Sequence, residues 1–304
     1  MNPAASIAHL SKSFGTSKVV NDISFDVPEG SIFGFIGPNG AGKTTTMKMI
    51  LGLLPASSGT VHVCGEPVRF GATATNRFVG YLPDVPQFYG YMRPMEYLEL
   101  CGEIVGMSSA KIRRRSKELL GLVGLGEANK KISSFSRGMR QRLGVAQALL
   151  GEPKLLICDE PTSALDPVGR KEILDILRQI KGKTTVIFST HILSDVERIC
   201  DRVALINGGR IVLEGRLAEL KASRQSDALH LEFATPADKK HFVSAANGLA
   251  KKLQQTNTEV TLHVGDLAAA QLAVLRILSQ KEILPLKFDV LEPSIESLFL
   301  KAVK

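Results

Sequence analysis

Gly37-Pro38-Asn39-Gly40-Ala41-Gly42-Lys43-Thr44 is the stretch that decides the fold. It fits the pattern G-x-x-x-x-G-K-[ST], a loop that wraps backbone N–H groups around a phosphate chain. The apolar run ahead of it, Ser31 to Ile36, reads as a buried strand, and Thr45 to Leu53 reads as a helix. Strand, glycine loop and helix in that order aim the positive end of a helix at bound anions. Lys43 then reaches the β- and γ-phosphates, and the Thr44 hydroxyl is placed to ligate Mg²⁺. Gly37, Pro38, Asn39, Gly40, Ala41 and Gly42 form the cradle, with Thr45 opening the helix behind it.

Outward from the loop, the chain alternates strands and helices. Thr60–Cys64 reads as a strand after the turn at Pro55–Gly59. From about Met95 to Leu150 the pattern is helical, with Met95, Leu98, Leu100 and Ile104 on one apolar face. Ser136 starts the last of these helices, and Gly151-Glu152-Pro153 stops it. Strands return at Leu155–Cys158, Thr185–Phe188 and Val203–Ile206, with a crossover helix over Val168–Ile180. Such alternation predicts an α/β fold, a mostly parallel sheet flanked by helices.

A polar stretch at Lys221–Asp227 marks a linker, and the pattern restarts beyond it. Strands are expected at 229–233, 249–254, 260–264 and 286–291, helices at 237–246 and 267–279, and a final helix from about Ser294. The order suggests a small split-βαβ sandwich.

Bulk properties narrow the function. The chain has 304 residues and a hydrophobic fraction of 44%, ordinary for a globular protein. No run of about 18 uninterrupted apolar residues predicts a membrane span, and the N-terminus lacks a signal-peptide pattern. Cys64, Cys101, Cys158 and Cys200 are scattered, which argues against a zinc site or disulfide framework and suits a reducing cytoplasm. The net charge is +8, yet only 6% of residues are aromatic and none is Trp. A base-stacking surface has little material, so no nucleic-acid partner is expected. The run Lys111 to Lys117 reads as a solvated helix face.

The apolar strand Leu155–Cys158 ends in Asp159-Glu160. Neighbouring side chains on a strand point to opposite sides. Asp159 can hold Mg²⁺ while Glu160 orients and deprotonates an attacking water. His191 follows another strand's carboxyl end, where open α/β sheets bind ligands. A neutral imidazole there can contact the γ-phosphate and the water.

In their order along the chain, these residues resemble the nucleotide-binding subunit of an ABC transporter. Phe135-Ser136-Arg137-Gly138-Met139 looks like the family signature, usually Leu-Ser-Gly-Gly-Gln. Ser163-Ala164-Leu165-Asp166 looks like the D-loop, His191 like the switch histidine, and Phe14 stands where such subunits stack an aromatic on adenine. The resemblance covers about residues 5–220. It implies a P-loop ABC cassette, with a RecA-like core, an antiparallel β subdomain and a helical subdomain at about 85–150, spanning 1–222. An accessory α+β domain at 223–304 would follow.

The resemblance also implies that two cassettes face each other head to tail, as a homodimer by default. Each ATP lies between one phosphate loop and the other cassette's Ser136 and Gly138. A transmembrane permease subunit, encoded separately, would hold the cassettes on the cytoplasmic face of the membrane. Arg137 and Met139 depart from the usual signature and look like a drug- and lipid-exporter subgroup of the ABC-2 type, as does the ending Leu291–Phe299. Asp84 stands where the family has Gln, or Glu in that subgroup, and is assigned to the metal; Gln87 is the substitute. The aromatics Phe88, Tyr89 and Tyr91 suit a socket for the permease or pack into the helical subdomain. A non-transport ATPase acting on ribosomes or DNA, and an importer subunit, are the alternatives.

Overall fold

The computed structural model describes residues 3–222 and 228–291. The chain divides into two compact units, one ending at Leu217 and the other starting at Ala218. The first unit opens with β1 (Ala5–Phe14), β2 (Ser17–Val27), β3 (Ile32–Ile36), α1 (Lys43–Ile50), β4 (Ser58–Val63), β5 (Glu66–Pro67) and β6 (Val79–Leu82). Three helices follow: α2 (Pro94–Ile104), α3 (Ser109–Leu122) and α4 (Arg137–Leu149). The alternation then resumes with β7 (Leu155–Asp159), α5 (Pro167–Ile180), β8 (Thr185–Thr190), α6 (Leu193–Ile199), β9 (Arg202–Asn207) and β10 (Arg210–Arg216).

Two sheets carry this unit. The larger has the order β10-β9-β3-β8-β7-β6, and the smaller β2-β1-β4-β5. In the larger sheet β9, β3, β8, β7 and β6 run parallel, and β10 returns antiparallel on the β9 edge. All residues of β3, β7 and β8 are buried. That burial explains why these strands read as unbroken apolar runs rather than alternating ones. The two sheets meet through Phe25 of β2, stacked at 5.4 Å on Phe33 and 5.2 Å on Phe35 of β3. These rings sit in a core shared with Met47 and Ile50 of α1. The phosphate-loop helix is thus anchored on its apolar side while its N-terminus faces outward.

The helical segment departs from the expected face. Pro94, Tyr97, Leu98 and Gly102 are the buried residues of α2, whereas Ile104 is 76% exposed. The reason is close packing against α3. A Cβ on Gly102 would lie 2.6 Å from the Ile112 side chain, so the interface follows the small residue rather than the run of large ones. The run at 111–117 behaves as a solvated face: Lys111 pairs with Glu152 and Arg115 with Glu118, while Ile112 and Ser116 point inward. Phe88 of the aromatic loop packs edge-on against Tyr97 at 5.1 Å, whereas Tyr89 and Tyr91 stay exposed.

The second unit takes in α7 (Leu217–Ala222) from its second residue, β11 (Ala228–Phe233), α8 (Pro236–Ala245), β12 (Lys252–Gln255), β13 (Glu259–His263), α9 (Leu267–Gln280) and β14 (Pro285–Leu291). Its sheet order is β12-β13-β11-β14, every pair antiparallel. Leu229, Leu231 and Phe233 of β11 share a core with Phe242, Val274 and Leu278 of the two helices. This is a split βαβ arrangement. The expected strand at 249–254 forms three residues later, after Gly248 turns the chain with φ 86°. The expected helix from Ser294, and most of the polar stretch at Lys221–Asp227, lie outside the described residues.

Gly80 of β6 is the tightest point between sheet and helices, since a Cβ there would strike the backbone carbonyl of Ala148 in α4. Gly80→Ala is therefore expected to lower stability by about 1–3 kcal/mol, read as a lower denaturation midpoint in urea. An unchanged midpoint would show that α4 can move aside freely.

Candidate active site

The sheet order brings the expected site residues together. Strands β3, β8 and β7 are neighbours, with Ile36 beside Thr190 and Asp159 beside Ser189. Their carboxyl ends therefore place the glycine loop, Glu160 and His191 at one edge. Gly40 and Gly42 hold φ values of 80° and 106°, in the left-handed region open to glycine. A Cβ on Gly42 would also lie 2.9 Å from the Val19 carbonyl oxygen. The helix begins at Lys43, with Gly42 as its cap, two residues before the sequence pattern suggested. Lys43, Thr44 and Thr45 thereby belong to the first turn, where orphan amides and the helix dipole are concentrated.

Lys43 is 5% exposed. Its Nζ donates to the carbonyl oxygens of Gly37 at 2.7 Å and Pro38 at 3.1 Å. It also lies 3.0 Å from Glu160 Oε1. Glu160 Oε2 in turn is 2.9 Å from His191 Nδ1. A chain of three polar side chains, Lys43–Glu160–His191, therefore runs across the sheet edge. The Glu160 backbone sits at φ 50°, an uncommon conformation for a non-glycine residue. Two hydrogen bonds hold its N–H, to Ser189 O and Ser189 Oγ, both at 3.1 Å.

Asp159 is buried and accepts a hydrogen bond from Ser189 Oγ at 2.6 Å. An open cleft of about 490 Å³ is lined by Asn39, Gly40, Gly42, Lys43, Thr44 and Thr45 together with Asp84 and Glu160. Gln87 lines a neighbouring groove instead. No cluster of three or more His, Cys, Asp or Glu side chains could enclose a metal among the described residues. The donors available are the Thr44 hydroxyl and the carboxylates of Asp159 and Asp84, whose buried Oδ1 takes no hydrogen bond. An all-oxygen set with few protein ligands suits Mg²⁺, which keeps waters and substrate phosphates as its remaining ligands.

Phe14, Ser136 and Gly138 are not among the residues that line the cleft. Phe14 ends β1 and is 49% exposed, with the Lys12 ammonium 5.1 Å from its ring centre. Ser136 caps α4, its Oγ accepting from the Met139 N–H at 3.2 Å. Gly138 is in the first turn of that helix, with open space where a Cβ would be. Sequence reasoning missed Ser189 and the buried Asp195. Asp195 accepts from Thr162 Oγ1 at 2.7 Å and from Arg170 at 2.6 Å, tying the segment after Glu160 to the segment after His191. Ser189 could have been found by aligning the two apolar strands on their carboxyl ends, which sets it opposite Asp159.

With this geometry in place, the comparisons with known proteins converge. The family model described as ABC transporter matches residues 20–163. An uncharacterized ABC transporter ATP-binding protein of Bacillus subtilis, YxlF, is 39% identical over 98% of this chain and 99% of its own length. The linearmycin resistance ATP-binding protein LnrL of the same species is 33% identical, with 96% of each chain covered. A solved ATP-binding subunit of an ABC transporter superposes with a TM-score of 0.66 at 32% identity, covering 72% of this chain and 92% of that one. The chain belongs to the ABC transporter ATP-binding family, and its fold is that of an ABC cassette.

Cys158 precedes Asp159 inside the sheet. Burial, and then the neighbouring carboxylate, push its thiol well above the usual cysteine range. Burial does the same at Cys200. A raised pKa means neutral thiol, not thiolate, at pH 7–8, and thiols react slowly. Maleimide at pH 7.5 is expected to label the half-buried Cys64 and Cys101 first, with Cys158 and Cys200 reacting only after denaturation. Rapid native labelling of Cys158, read by mass spectrometry, would mean that the sheet edge opens.

Proposed function

We propose that this chain is the ATP-hydrolysing subunit of an ABC exporter whose membrane-spanning subunit is a separate chain. The observation that carries the reading is the Lys43–Glu160–His191 chain at the mouth of the glycine loop. Residues 1–222 act as the cassette, with the helical subdomain at about 85–150, and 223–304 form an accessory domain. The relatedness to a linearmycin resistance protein supports export. No helix among the described residues is long and apolar enough to cross a membrane, in keeping with a peripheral subunit on the cytoplasmic face. Exposed Tyr89 and Tyr91 form part of the socket for the permease.

The geometry supports the roles of Lys43, Glu160 and His191, and the family resemblance supplies the rest. The loop residues from Gly37 to Thr45 cradle the phosphate chain, the amides not already bonded within the chain donating to it, and Phe14 meets the adenine. Lys43 is already held by two loop carbonyls, so it can turn its remaining hydrogen to a γ-phosphate oxygen. Thr44, Asp159 and Asp84 hold Mg²⁺ directly or through water, and the ion supplies neutralisation of phosphate charge. Glu160 accepts a proton from the attacking water, and His191 stabilises the γ-phosphate side of the site. Ser136 and Gly138 complete the site across a head-to-tail homodimer, so ATP favours the closed pair and hydrolysis releases it.

Glu160→Gln removes the base and keeps the shape. ATP binding is expected to survive while turnover falls roughly 100- to 10,000-fold; equal turnover would remove Glu160 from that role. The same variant, loaded with ATP, is expected to recover a polytopic membrane protein from detergent-solubilised source membranes. Recovery of ribosomes or DNA with no membrane chain would overturn the transporter reading.

A further inference from the structure

Asp84 borders two cavities. One is the phosphate cleft, and the other is a groove of about 290 Å³ lined by Phe135, Arg137, Arg140 and Gln141. Across that groove the Arg137 guanidinium stands 3.9 Å from Asp84 Oδ1, with both side chains half exposed. That distance is beyond hydrogen-bond range. The pair is loose, and Asp84 Oδ1 is itself buried with no hydrogen bond, so neither partner is held in a close geometry. The groove has hydrogen-bond donors to spare, since the Gln141 amide nitrogen is buried with no partner and the residue is only 3% exposed.

The same end of α4 carries further donors. The Ser136 oxygen accepts from the Met139 N–H, which leaves the hydroxyl hydrogen free to donate outward. The helix dipole adds positive potential at this point. Arg137 stands where the usual signature has glycine, so this helix end carries a full positive charge. Guanidinium binds phosphate through paired, charge-assisted hydrogen bonds, a much stronger partner than a carboxylate 3.9 Å away in water.

We propose that Arg137 is a phosphate-binding residue of the assembled site. It rests on Asp84 in the isolated cassette and transfers to the γ-phosphate oxygens of the ATP held by the facing cassette. The exchange frees the Asp84 carboxylate for the metal side of its own cleft. Each cassette's signature helix is thereby tethered while the dimer is open and released as it closes. This inference rests on the head-to-tail dimer proposed above.

The test is sedimentation of the full-length Glu160→Gln protein titrated with ATP and Mg²⁺, alone and with Arg137→Ala or Arg137→Lys added. Binding of a fluorescent ATP analogue is measured in parallel at protein concentrations where the chain is monomeric. Arg137→Ala is expected to raise the ATP concentration needed for dimerisation about tenfold or more, with Lys recovering part of the loss. Analogue binding to the monomer should change far less than dimerisation, because Arg137 does not itself line the monomer's cleft. If the parent dimerises and Arg137→Ala dimerises at the same ATP concentration, the inference fails and the dimer reading stands. Equal weakening of monomer binding also overturns it, by assigning Arg137 to its own cleft. If the parent does not dimerise with ATP, both fall together.

Discussion

The site depends on one ammonium group held out of water. Lys43 is almost fully buried, and its charge is compensated by two loop carbonyls and by Glu160. An unpaired charge at that depth would be costly. The loop bends so that the carbonyls of Gly37 and Pro38 converge on the lysine. The stacked Phe25, Phe33 and Phe35 give the rigid floor beneath. Glu160 has two partners here, one on each side, so Lys43, Glu160 and His191 are positioned as a unit. A phosphate entering this cleft would have to compete with Glu160 for the lysine.

What could be read in the sequence follows from how local each signal is. The phosphate loop is a contiguous pattern with strict backbone demands, and its strand was legible to one residue and its helix to three. The buried strands β7, β8 and β9 were legible because parallel strands covered on both faces become apolar runs bounded by polar residues. The Asp159-Glu160 pair was legible because it ends such a run.

Long-range features were not legible. Ser189 matters only through its register against Asp159, and Asp195 only through a fold that returns α6 to the segment after Glu160. The buried face of α2 was misread because Gly102, the smallest residue, sets the approach of α3. The strand β10 was passed over because its burial alternates residue by residue at the sheet edge. Phe14, Ser136 and Gly138 were assigned by resemblance. None of the three lines the cleft of this chain.

Ser189 links two acids through one oxygen. It donates to Asp159 and accepts from the Glu160 N–H, while the backbone carbonyl of the same residue takes that N–H as well. The spacing between acids and histidine is therefore measured along β8 rather than by loops. Length changes in the Lys181–Thr184 connection leave that ruler untouched. One residue added or lost inside β8 would turn every side chain to the opposite face and set Phe188 or Thr190 where the serine belongs. This strand should accept changes of side chain and refuse changes of length, which makes the connection before it, and not the strand itself, the place where related chains can differ in size.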